Sequence, residues 1–147
     1  MKLQREDLFF NTKLSGGAFT AAYSDVVDEW ILSIVDEIAI PPGAALVAMG
    51  GYGRRELSPQ SDLDIALVHT VDADIASFAD QIWYPIWNEG IKLGHRVDTI
   101  DGLLKIARTD LETATALLSA RHLAGDELLS LDPVSYTHLT LPTIYSV

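Results

Sequence analysis

The sequence predicts a small α/β (α+β) domain, a mixed sheet flanked by helices. Apolar stripes at helical spacing alternate with short apolar runs of strand length. A glycine-rich turn, Gly50-Gly51-Tyr52-Gly53, joins two of those runs. The 147 residues, 48% of them hydrophobic, suit one compact domain with a core of its own.

The elements follow in chain order. From Ser24 to Ile38, Val26, Val27, Trp30, Ile31, Ile34, Val35 and Ile38 recur at helical spacing. Asp25, Asp28, Glu29, Asp36 and Glu37 face the other way. Pro41-Pro42-Gly43 stops that helix. Ala44 to Met49 reads as a buried strand. After the glycine turn, Arg54 to Leu57 suit a brief helical turn. Ser61 to His69 is a second strand, with Leu63, Ile65 and Leu67 on one face and Asp62, Asp64, Ala66 and Val68 on the other. Asp74 to Asn88 is helical, and Pro85 should kink it or end it early. Ile91 to Val97 suits a third strand. Asp98 to Arg108 and Asp110 to His122 read as two more helices, the second capped by Asp110.

Residues 1–23 form an N-terminal segment, 24–131 the domain, and 132–147 a non-native or disordered tail. The stretch from Pro133 to Val147 holds no Asp, Glu, Lys or Arg and is rich in Thr, Ser, Tyr, Leu and Pro. The formal net charge is −11, from 21 acidic and 10 basic residues. That excess argues against non-specific nucleic-acid binding, which relies on basic surface to displace counterions, and no nucleic-acid partner is expected. A nucleotide remains compatible, through local basic groups, backbone N–H donors and a metal. No apolar run reaches the ~18 residues of a membrane span, and the first residues lack the apolar middle of a secretory signal. Cysteine is absent, which removes thiolate metal sites and thiol nucleophiles. A cytoplasmic location is expected.

The chemistry concentrates between Gly50 and Asp64. Asp62 and Asp64, at i and i+2 on one strand, point to the same side about 7 Å apart. Like charges so placed repel, so a buried or cleft-facing pair needs a compensating cation. Mg²⁺ fits, since it takes hard oxygen ligands from one or two carboxylates, phosphates and water. The glycine turn lets the backbone approach a phosphate closely. Ser58 or Ser61 can add a hydroxyl, and Arg54 or Arg55 a charged donor. Each part alone is commonplace: Asp-x-Asp is usually a solvated strand edge, and a glycine turn is usually only a turn. Their order is what points to a metal–triphosphate site. No Gly-Lys-Ser/Thr follows, so this is not a Walker A loop.

In full, Gly50-Gly51-Tyr52-Gly53-Arg54-Arg55-Glu56-Leu57-Ser58-Pro59-Gln60-Ser61-Asp62-Leu63-Asp64 resembles the signature of the bacterial PII-protein uridylyltransferase/uridylyl-removing enzymes. These carry an N-terminal nucleotidyltransferase domain of the DNA polymerase β-like superfamily. The resemblance continues through Trp83-Tyr84-Pro85-Ile86-Trp87, Gly94-His95-Arg96-Val97-Asp98-Thr99, the stretch from Asp110 to Leu118, and the stretch from Ala120 to Asp126. It spans Leu46 to Asp126.

The resemblance implies a truncated polymerase β-like fold that transfers UMP from UTP to a tyrosine of the PII signal protein. Gly50 and Gly51, with Arg54 and Ser61, would meet the nucleotide, and Asp62 and Asp64 would hold Mg²⁺. Tyr52 suits packing or base-side lining. Members of the superfamily usually place a third carboxylate on a neighbouring strand. Asp98 is that residue or the cap of the helix after it. His95 reads as a structural hydrogen-bonder, and Trp83 and Trp87 as core. The removing activity belongs to a hydrolase domain with a His-Asp doublet, and none of the four histidines here precedes an aspartate. Two other readings remain: a nucleotidyltransferase with another acceptor, and a catalytically silent nucleotide-binding or regulatory module.

Overall fold

The computed structural model describes Leu3 and residues 16–129. The tail 132–147 and most of the N-terminal segment lie outside the described residues. Helix α1 spans Gly16–Ile38 and buries Tyr23, Val27, Trp30, Ile31, Ile34 and Val35 along one stripe. It starts at Gly16 rather than Ser24. Phe19 and Tyr23 extend the stripe by another turn, behind a Gly-Gly pair that reads as a breaker.

Strand β1, Ala44–Ala48, is buried at every position. Helix α2 is a single turn, Gly50–Gly53, so the helical turn comes within the glycines rather than after them. Strand β2 spans Leu63–His69, α3 Ala76–Asn88, β3 Leu93–Asp98, α4 Ile100–Ala107 and α5 Leu111–Leu118. Pro85 lies inside α3, which continues to Asn88. The last expected helix ends at Leu118, and Arg121–Gly125 forms a fourth strand, β4. That strand has no β-branched residue and only Leu123 buried, so nothing in its pattern announces it.

The sheet order is β3-β2-β1-β4. β1 pairs antiparallel with β2 and β4, while β2 and β3 run parallel, joined by the α3 crossover. The expected mixed sheet flanked by helices is therefore what forms. One face carries Leu46, Leu63, Ile65 and Leu67 against α1 and α3. The other carries Ala45, Val47, Ala66 and Val68 against Leu103 and Ala107 of α4 and Ala114 and Leu117 of α5.

This two-sided burial fixes the register of β2. A one-residue slip would turn Leu63, Ile65 and Leu67 away from the α1–α3 core. Full burial of such side chains contributes about 1.5–3 kcal/mol each. The same slip would turn Asp64 into that core. The alternation that packs the strand thus also aims its carboxylate.

Candidate active site

Met49 ends the β1 run and Gly50 turns the chain with φ +58°, a conformation suited to glycine. Asp62 directly precedes β2, and Asp64 is its second residue. Asp62 is exposed and Asp64 half-buried. Both line a cavity of about 430 Å³ with Met49, Gly94, Arg96 and Glu112. A more open hollow of about 480 Å³ is lined by Gly50, Arg54, Asp64, Glu112 and Leu111. The two share Asp64, Glu112 and Ala116, and so form one cleft between the sheet end and α5.

The Asp64 carboxylate sits in a cradle made by two glycines. A Cβ at Gly94 would lie 2.3 Å from Asp64 Oδ1, and one at Gly50 would lie 3.0 Å from Oδ2. Burial, then the Asp62 charge, push the Asp64 pKa up; Glu112 adds to this and Arg96 opposes it. Among the described residues, Asp62 has a single, long ion pair, 3.7 Å to exposed Lys92. The cleft thus concentrates negative charge that its own basic groups offset in part.

That donor set fits a divalent cation of the Mg²⁺ type, which takes one or two carboxylates and completes its shell with phosphate and water. Among the described residues no group of three or more acidic, His or Cys side chains is gathered tightly enough to enclose a metal.

The other expected residues divide. Gly51 lines neither hollow, and a Cβ there would meet nothing nearer than Arg54 Nη2 at 3.9 Å. Arg54 borders the cleft, with Nε 3.1 Å from Glu56 Oε2 and Nη1 donating to Ser119 Oγ at 3.1 Å. Ser61 turns away: its Oγ accepts from Ser58 N and lies 2.6 Å from Ser58 Oγ, closing the loop. It lines a separate hollow of about 220 Å³.

Asp98 does not join the pair. Asp64 is level with Gly94, and Asp98 with Val68. That register sets Asp98 four residues along, roughly 13 Å. It does not cap α4 either. Thr99 does so, accepting from Gly102 N at 3.1 Å, while Asp98 Oδ1 accepts from Thr99 N at 2.7 Å.

Tyr52 is packed, 1% exposed. His95 stands between the rings of Trp83 and Trp87, 5.3 and 5.4 Å away; Trp83 is buried in the core as expected, but Trp87 is exposed and lies outside it. Glu112 and Arg96 are the cleft residues that sequence reasoning passed over. Glu112 follows the Asp110 cap, whose carboxylate accepts from Glu112 N at 3.3 Å and Thr113 Oγ1 at 2.5 Å. The cap was readable, but not the packing that turns the first turn of α5 toward β2.

No protein-family model matches the chain. Among characterised proteins, the bifunctional uridylyltransferase/uridylyl-removing enzyme of Mycobacterium tuberculosis is 47% identical over 110 residues, covering 72% of this chain and 14% of that enzyme. This chain is homologous to a segment of those enzymes. The Streptomyces coelicolor enzyme of the same name is 44% identical over 115 residues, covering 76% of the chain and 14% of the enzyme. The Cupriavidus pinatubonensis enzyme is 35% identical over 133 residues, 88% of the chain and 15% of the enzyme. The chain therefore spans about one seventh of the uridylyltransferase/uridylyl-removing enzymes it matches. Among solved structures, a toxin–antitoxin protein with AMP-PNP gives a TM-score of 0.47 at 18% identity, covering 78% of this chain and 90% of that one.

Proposed function

We propose that this chain is the transferase part of a PII-protein uridylyltransferase. It would catalyse Mg²⁺-dependent transfer of UMP from UTP to a tyrosine of the PII nitrogen-signalling protein, in the cytoplasm. The observation that carries the reading is the Asp62–Asp64 pair, set in a cleft that Gly50 also lines, within a chain homologous to uridylyltransferases.

In this reading Asp62 and Asp64 hold Mg²⁺, which would polarise the α-phosphate and offset charge as pyrophosphate leaves. Gly50 and Gly51 present backbone close to the triphosphate, and Arg54 reaches it from the rim. Arg96, on the neighbouring strand and the same face of the sheet as Asp64, offsets part of the acidic charge. The described residues include no helix long and apolar enough to cross a membrane.

The test is incubation of the chain with UTP labelled at the α-phosphate, with and without PII protein and Mg²⁺, with ATP and GTP as comparisons. Label on a PII tyrosine only with Mg²⁺ is the expected result. No label on PII, with no binding of Mg–UTP by calorimetry, would overturn the reading in favour of a silent module. Label on some other acceptor would replace PII.

A further inference from the structure

The glycine turn is tied down from behind by a partly buried polar cluster that touches none of the cleft. Its members come from three distant parts of the chain: Asp28 on α1, Tyr52 in α2 and Arg121 at the start of β4. Tyr52 Oη donates to Asp28 Oδ1 at 2.5 Å. Arg121 grips the same carboxylate with both arms, Nη1 to Oδ2 at 2.7 Å and Nη2 to Oδ1 at 3.2 Å. It also donates to the backbone of the turn, from Nη2 to Tyr52 O at 3.0 Å and from Nε to Gly53 O at 3.3 Å. Its guanidinium carbon lies 5.2 Å from the centre of the Tyr52 ring.

A planar fork with five donors can satisfy this many acceptors at once, as an ammonium cannot. A four-residue helix has too few internal hydrogen bonds to hold its own shape. Arg121 supplies a donor to the Gly53 carbonyl at the end of this short turn, and a second donor to Tyr52 O, which already accepts from Arg55 N at 3.1 Å. Burial, then the Asp28 charge, push the Tyr52 phenol far above its ordinary pKa, so it remains a donor to Asp28.

We propose that Asp28 and Arg121 are positioning residues. Through Tyr52 they hold the Gly50–Gly53 backbone in the geometry that meets a nucleoside triphosphate. The ligand in this statement rests on the function proposed above, whereas the clamp itself does not. A ligand that approaches glycine backbone depends on where that backbone is held, and preorganised groups incur no ordering cost on binding.

The experiment uses the whole chain and separates the two ideas. Tyr52→Phe removes one oxygen and keeps the buried ring. Arg121→Lys keeps the charge and loses the fork, and Asp28→Asn keeps the shape. In the free protein, the amides of Gly53, Arg54 and Glu56 donate to Met49, Gly50 and Gly51 carbonyls within the turn. Their hydrogen exchange should quicken about tenfold or more in Arg121→Lys and Asp28→Asn, and less in Tyr52→Phe. Amides in the middle of α3 should exchange as in the parent. Mg–UTP affinity measured by calorimetry should fall in the same order, with the thermal midpoint of Tyr52→Phe near the parent's. Parental exchange at all three turn amides in folded variants would overturn the clamp. Quickened exchange with unchanged Mg–UTP affinity would overturn its link to the ligand. Failure of the parent to bind Mg–UTP would count against the proposed function and leave the exchange result standing for the clamp.

Discussion

Gly94 is level with Asp64 across the β2–β3 ladder, and the side chain it lacks is the space that the Asp64 carboxylate fills. A methyl group there would come within 2.3 Å of Oδ1. Because the carboxylate is the free end of a side chain, it can swing aside at little cost to the fold. Its aim would be lost instead. Gly94→Ala is therefore expected to melt near the parent and to lose roughly 10–100-fold in transfer, the range typical of disturbing a metal ligand's support. Parallel melting and transfer assays check this, and parental transfer would show that Asp64 does not need its cradle.

Asp62→Asn and Asp64→Asn each remove a cleft charge while keeping size and shape. Either should cut transfer by at least about a hundredfold, more than loss of a supporting residue does. Circular dichroism should show an intact fold. Near-parental turnover in both would exclude the pair as the metal site.

Two glycines of one turn should fail in opposite ways. Gly51 faces open space, so Gly51→Val should fold and lose Mg–UTP binding, because the added bulk occupies the approach to the backbone. Gly53 is enclosed: a Cβ there would lie 2.0 Å from Ser119 O and 3.0 Å from Ala48 O. Gly53→Ala should therefore cost about 1–3 kcal/mol of stability, as overpacking does. Unchanged Mg–UTP affinity in folded Gly51→Val, or parental stability in Gly53→Ala, would reverse the assignment concerned.

What the sequence makes legible, and what it does not, follows from how far each signal reaches. The strand alternation of Leu63, Ile65 and Leu67 against Asp62 and Asp64 is local, and it yields both the buried face and the carboxylate pair. The Asp110 cap is equally local. Glu112 and Arg96 enter the cleft only through tertiary packing of α5 and β3, which no spacing rule encodes. Strand β4 exists because β1 offers it an edge. Arg121, readable within that stretch only as part of a family motif, has its role through Asp28, 93 residues away. Asp98 shows the converse: its place beside a strand end was plain, but the parallel register that carries it past Asp64 was not.

The acid–base behaviour of Asp64 supplies the final prediction. Its pKa lies above the ordinary aspartate value, chiefly through burial and then through Asp62 and Glu112, with Arg96 opposing. Lys92 stands beyond Asp62 and offsets that neighbour's charge only weakly across 3.7 Å. A carboxyl whose pKa is raised on folding holds its proton more tightly in the folded chain than in the unfolded one. As pH rises through that interval the unfolded chain releases its proton first, and stability falls. Above the raised value the folded chain carries the full cost of an unfavourable charge. Asp64→Asn removes this titration. Without divalent metal, the variant should melt above the parent at about pH 7 and lose that advantage by about pH 3, where the parent carboxyl is protonated in both states. Adding Mg²⁺ should raise the parent's midpoint at neutral pH, since the ion stabilises the charged form, and should raise the variant's less. Thermal melts across this range, with Mg²⁺ and with chelator, make the comparison. A parent that melts above Asp64→Asn at neutral pH in chelator would mean that the cleft already satisfies the Asp64 charge and has no need of a cation.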